Sequence, residues 1–177
     1  MNLVPRISGT TCGILLGALL IAVVCGCSEP MKIRSAYGAK IPLSGFGPSF
    51  DWLPRSRKRT GDYRADNPEL HSLIQGLMES EFAAKGYEKQ PTGVPGFWVD
   101  YYVARKRTGE ALGASRYVEY EEGSLIIDVV DPQTRQLMWR GSAQAKLNDT
   151  DPPSARQAKI RQAVRGILKR FPSQDKQ

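Results

Sequence analysis

The stretch GSLIIDVVDPQTRQLMWRGSAQAKL, residues 123–147, holds two apolar runs joined by a turn signal. In the first run Leu125, Ile127 and Val129 share one side of an extended chain, and Ile126, Asp128 and Val130 the other, because successive strand side chains alternate. Asp131-Pro132-Gln133-Thr134 then turns the chain, Asp being favoured there for its side-chain bond to the following backbone. In the second run Leu137, Trp139, Gly141, Ala143, Ala145 and Leu147 alternate with Met138, Arg140, Ser142, Gln144 and Lys146. Regular alternation on both sides of a turn predicts an antiparallel sheet with one covered face.

Working toward the N-terminus, Phe97, Val99, Tyr101 and Val103 alternate with Trp98, Asp100, Tyr102 and Ala104, a further half-buried strand. Residues 108–114 read as a flexible loop, and residues 117–120 as a strand that reaches 125–130 through Glu122-Gly123. Two prolines and two glycines in residues 90–96 break structure, and before them lies a helix with both of its ends marked. Asn67 serves as N-cap with Pro68 in the first turn, Gly86 stands where a C′ residue belongs, and Leu70, Leu73, Ile74, Leu77, Met78 and Phe82 form one apolar face. Residues 49–53 predict a strand stopped by Pro54, followed by a polar, basic loop over 55–64.

At the C-terminal end, Asp151 as N-cap and Pro152 at the first helical position open a second helix running to about residue 170, with Ile160, Ala163, Val164, Ile167, Leu168 and Phe171 on one arc. The order strand, helix, several strands, helix predicts an α+β domain: an antiparallel sheet of about four to five strands with two helices packed on one face. The domain is expected over residues 49–172, with a polar tail at 173–177.

The chain has 177 residues, room for one ordinary domain plus a targeting segment. Arg6 precedes an apolar run over residues 14–24. As a helix that run spans only about 16 Å, roughly half a hydrocarbon core, so it reads as the apolar part of a secretory signal rather than a membrane span. It ends in Val24-Cys25-Gly26-Cys27, which resembles the lipobox of bacterial lipoproteins. The resemblance implies cleavage after residue 26 and acylation of Cys27. Several acyl chains at about 0.8 kcal/mol per buried CH₂ make a durable anchor where one would be marginal. Ser28 rather than Asp after the cysteine implies, by resemblance to lipoprotein sorting signals, the inner leaflet of an outer membrane, facing the periplasm. Residues 27–48 are then the lipidated cysteine and a tether, with a candidate first strand at 32–37.

All three cysteines lie within the first 27 positions, so the mature chain keeps only the acylated one. That excludes a disulfide scaffold, a thiolate nucleophile and a cysteine metal site. His71, the single histidine, has no second histidine for a metal and no thiol to activate; it reads as a helix residue. Asp128 and Asp131 are the one candidate carboxylate pair, yet strand pairing explains the first and turn chemistry the second. Trp139 and Arg140 read as a core tryptophan beside an exposed arginine. No glycine pattern of a phosphate loop occurs. No catalytic residue, metal or cofactor is expected.

Removing residues 1–26 takes away one arginine and leaves a net charge of +6. The last helix carries Arg156, Lys159, Arg161, Arg165, Lys169 and Arg170, with no acid between Asp151 and Asp175. Such a ridge attracts polyanions, and outside the cytosol these are envelope polymers and lipid headgroups rather than nucleic acid. A solvated helix face is the plainer explanation.

The lipobox, Asp51-Trp52-Leu53-Pro54, Asp66-Asn67-Pro68-Glu69-Leu70, Lys85-Gly86-Tyr87, the run Glu122-Gly123-Ser124-Leu125-Ile126-Ile127-Asp128 and then Leu137-Met138-Trp139-Arg140-Gly141-Ser142-Ala143 together resemble the domain-of-unknown-function family 4136 of bacterial lipoproteins. The resemblance spans about residues 31–172 and implies an envelope lipoprotein of α+β fold with no accepted catalytic residues. The expected function is a non-catalytic, periplasm-facing binding or assembly module, meeting the membrane through its lipid and an envelope protein or anionic envelope polymer through its surface. A carrier of a small apolar or lipid ligand is the alternative, and an envelope hydrolase stands third.

Overall fold

A computed structural model describes residues 30–38, 45–54, 61–62, 64–111 and 116–174. The elements are β1 (Lys32–Tyr37), β2 (Ser49–Trp52), α1 (Pro68–Ala84), β3 (Glu88–Lys89), β4 (Phe97–Ala111), β5 (Tyr117–Val130), β6 (Leu137–Leu147) and α2 (Pro153–Leu168). They form one six-stranded sheet in the order β1-β6-β5-β4-β2-β3. The α+β class with two helices on one face agrees with the sequence.

The sheet itself is larger than expected, and mixed. β4, β5, β6 and β1 pair antiparallel, whereas β2 runs parallel to both β4 and β3. A parallel pair needs a crossover of a dozen residues or more. α1 supplies it between β2 and β4. The expected loop over 108–114 also gives way: β4 continues to Ala111, pairing with Tyr117 of an unbroken β5. Residues 112–115 lie outside the described residues. The candidate strand at 32–37 is β1, paired along its length with β6, so the packed body begins well before residue 49.

α1 starts as its capping signal predicts, Asn67 Oδ1 accepting from the backbone N–H groups of Glu69 at 2.8 Å and Leu70 at 3.3 Å. It ends at Gly86, whose φ of +84° suits the left-handed C′ position. α2 begins one residue later than expected: Pro152, not Asp151, is the N-cap. The Asp151 carboxylate is instead held by Lys159 Nζ at 2.6 Å.

β5 and β6 also depart from strict alternation. The register shifts between Val129 and Val130, so that Val129 faces Trp139 while Val130 faces Leu137. A bulge sets two residues against one. Met138 is thereby buried at 2% exposure among the core residues, and Leu137, expected beside Trp139, is left 36% exposed.

The core lies between the helices and one sheet face. At the end of the molecule where α1 and α2 finish, it is built of aromatic rings. Phe46 lies 4.8 Å from Phe171, Phe50 4.8 Å from Phe82, Trp139 5.1 Å from Phe171 and Tyr87 5.2 Å from Phe97. Gly141 suits this place, since a Cβ would run into the side chains of Ile167 and Trp139. Phe82 touches Phe50, Tyr87, Phe97 and Phe171. Phe82→Ala is therefore expected to cost about 3–5 kcal/mol, the usual range for removing a buried aromatic ring; the midpoint of urea unfolding measures it.

Candidate functional site

Both helices run in the same sense along the sheet. Glu81 of α1 pairs with Arg165 of α2 at 3.2 Å, and just beyond the helix ends Lys85 Nζ donates to the Phe171 carbonyl at 2.9 Å. At the opposite end their N-terminal halves stand apart over the sheet, with a cleft of about 760 Å³ between them. That volume falls within the range of small-molecule sites.

Local sequence explains the opening. Where the closed end has rings, the sheet and α2 here present Gly123, Ala143, Ala145 and Ala163. These side chains are too short to bridge the gap. Leu70, Leu73 and Ile74 of α1, Val103, Leu125 and Ile160 complete an apolar lining. Leu70, Val103 and Ile160 are only partly buried, so apolar surface on the cleft walls still meets solvent.

The mouth is charged. Arg64 Nε lies 3.3 Å from Asp62, its Nη2 3.3 Å from Glu121 and its Nη1 3.5 Å from Asp149. Arg105 binds Glu121 as well and reaches Asp149 at 3.0 Å. Two arginines and three carboxylates thus tie the entry of α1, the β4–β5 ribbon and the turn before α2 to one another. The Arg64 backbone N–H and then its guanidinium hold the Asp62 carboxyl below its ordinary range, and the hydrogen bond from Arg105 does the same for Glu121.

Of the six basic residues on the last helix and its end, three are engaged within the body. Arg156 donates to the carbonyls of Asp151 and Asp149 at 2.9 and 3.0 Å, Lys159 pairs with Asp151, and Arg165 pairs with Glu81. Arg156 and Lys159 sit on the cleft rim. Arg161 donates to Gln157 at 3.4 Å, and Lys169 and Arg170 are exposed. Cys27 lies outside the described residues.

The two candidate carboxylates are not brought together as a pair. Asp128 is buried, and it accepts from Arg140 Nε at 2.6 Å and Nη2 at 2.7 Å, a two-pronged ion pair across β5 and β6. Asp131 caps its turn, accepting from the backbone of Gln133 at 2.8 Å and Thr134 at 2.6 Å, and the Thr134 bond keeps its carboxyl below the ordinary value. His71 packs on Tyr101, whose hydroxyl donates to the His71 carbonyl at 3.2 Å and lies 3.0 Å from its Nδ1. Among the described residues no three His, Cys, Asp or Glu side chains are placed to hold a metal ion, and no helix is long and apolar enough to cross a membrane.

An open mixed sheet carrying two same-sense helices that part over an apolar floor makes this a two-layer α+β domain with a cleft at one end. Residues 36–173 match the family described as Domain of unknown function (DUF4136), and the chain belongs to that family. Among solved structures, a PDZ domain protein from Parabacteroides distasonis ATCC 8503 is similar at a TM-score of 0.55 and 13% identity over 82% of this chain. The likeness covers 37% of that protein and concerns the fold alone. The PelC dodecamer from Paraburkholderia phytofirmans, in two crystal forms, aligns over 82% of this chain and 99–100% of its own, at TM-scores of 0.46 and 0.47 and identities of 7% and 8%. None of the curated proteins compared with the chain matches it.

The mouth network makes stability depend on pH. A carboxyl whose folded pKa is lowered contributes above its unfolded value, near 4, and that contribution is lost as pH falls through the folded one. The melting temperature is expected to fall between pH 5 and pH 3. Glu121→Gln should lower it at pH 7 and shrink the acid-induced drop; calorimetry at both pH values checks this.

Proposed function

We propose that the protein is a non-catalytic envelope lipoprotein, acylated at Cys27 in the inner leaflet of the outer membrane, and that its periplasm-facing domain is a binding module with its ligand site in the cleft. The observation that carries the reading is the parting of α1 and α2 over an apolar floor, because a domain built only to fill its core would close there. The side chains around it suit binding rather than bond-breaking. Of the carboxylates at its mouth, Glu121, Asp149 and Asp151 are engaged with arginines or with Lys159 and serve as fixed charges. The attachment rests on the lipobox Val24-Cys25-Gly26-Cys27 and the short apolar run before it.

Cys27→Ala is the direct test of the anchor. The substituted precursor should keep residues 1–26, lose all labelling by a radioactive fatty acid and leave the membrane fraction when the signal is removed by other means. Labelling that persists would refute the attachment.

A second contact, with an anionic surface, is favoured by Arg161, Lys169 and Arg170, which project from the outer side of α2 and the turn after it. Each such side chain near an anionic bilayer contributes about 1 kcal/mol. Reversing all three to Glu should lower affinity for anionic vesicles at least tenfold in low salt and have little effect at 0.5 M salt. Unchanged affinity at low salt would reduce the ridge to a solvated face.

A further inference from the structure

We propose that the cleft takes the single fatty acyl chain of a zwitterionic amphiphile of the lysophosphatidylethanolamine class, tail inward and head at the charged mouth. The inference rests on the anchored binding-module reading and names the ligand of that same site.

Three observations lead to it. First, the apolar walls that remain partly open, Leu70, Leu73, Val103 and Ile160, gain most from an apolar occupant, and the deep end is closed by Ile74 and Leu125 so that a tail stops there. Second, the mouth offers both signs of charge. Arg64, Arg105, Arg156 and Lys159 stand beside Glu69, Asp149 and Asp151. A head of one sign meets charges of its own sign as well as the opposite one there, while a phosphate with an ammonium a few bonds away finds a partner for each. The Asp149 side chain is 66% exposed and uses Oδ1 for Arg64 and Arg105, which leaves Oδ2 to face an ammonium; Arg156, on the same rim, spends Nε and Nη2 on the carbonyls of Asp151 and Asp149 and leaves Nη1 for a phosphate. Third, Met31 lines the cleft, and Cys27 precedes it by four residues. Four extended residues span at most about 14 Å, so an acylated Cys27 brings the bilayer surface, and the single-chain lipids in it, within that distance of the cleft wall.

The test uses the full acylated protein in phosphatidylethanolamine vesicles containing a trace of lysophosphatidylethanolamine with a diazirine in its acyl chain. After irradiation, labelled peptides are mapped by mass spectrometry. Label should concentrate on residues 70–74 and 143–163. Ala145→Phe, which fills the cleft with a ring that suits a strand, should reduce it at least tenfold. Leu73→Gln, which keeps the helix and makes one wall polar, should reduce it about threefold or more, and unchanged circular dichroism shows that either variant is folded. Label spread over the outer surface, or unchanged in both folded variants, overturns the proposal. Equal labelling by a diazirine fatty acid or by lysophosphatidylglycerol overturns the zwitterionic head. Cleft labelling that appears only in Cys27→Ala overturns it in favour of the protein's own acyl chain as occupant. Cleft labelling in a wild-type chain that carries no lipid on Cys27 supports this ligand and refutes the anchor alone, so the two readings fail separately.

Discussion

The aromatic packing around Phe82 and Phe171 is the constraint on which the arrangement of the molecule depends. It fastens the C-terminal halves of both helices to Phe97 and Trp139 of the sheet and to Phe46 from the segment before β2. Rings of this size interlock only when backbones keep their distances, and burying them supplies the largest apolar contribution available to a domain this small. The other end of the same helices has no such rings. There Ala143, Ala145 and Ala163 face Leu70 and Leu73, and the space between is left as a cleft. One end is therefore filled and the other open because the rings gather at one end and the short side chains of β6 and α2 face the leucines of α1 at the other.

Much of this was legible beforehand. The alternation in residues 125–147 marks two strands and their turn, and the caps Asn67 and Gly86 bound α1 almost to the residue. The regular alternation of its strand neighbours marks Trp139 as core, strand pairing accounts for Asp128, and turn chemistry accounts for Asp131. What stayed hidden depends on contacts between distant segments. β3 is two residues long and has no pattern of its own; it exists because Glu88 and Lys89 lie beside β2. The parallel pairing of β2 with β4 could have been found, since strand, helix and strand in succession is the arrangement that a parallel pair requires. The bulge that buries Met138 and exposes Leu137 has no local marker in the sequence.

The cleft was less legible than the core for a physical reason. A filled interior is signalled by large apolar residues at the right period; α1 carries that signal along its whole length and α2 from Ile160 onward. An opening is signalled by small residues on facing elements, which can be recognised only once the register of β5 on β6 is known. Gly123 opposite Ala145 and Leu125 opposite Ala143 put small and large residues side by side on the floor. The mouth was harder still: Asp62, Arg64, Arg105, Glu121 and Asp149 come from four separate parts of the chain.

The same crossover that makes the sheet mixed also determines what the open end can be. Because α1 links parallel strands, its N-terminus must lie at the end of the sheet where β2 finishes, and α2, returning from β6, begins at that end too. Both helices therefore start together at the cleft and finish together at the aromatic packing. An antiparallel helix pair would have placed one helix start at each end of the domain, leaving the Glu81–Arg165 and Lys85–Phe171 links without partners in reach. With a common start, the residues before each helix, 62 and 64–67 on one side and 148–151 on the other, meet at one place. Their carboxylates and arginines can then form a shared rim. The charged mouth over an apolar floor thus follows from the direction of one crossover helix.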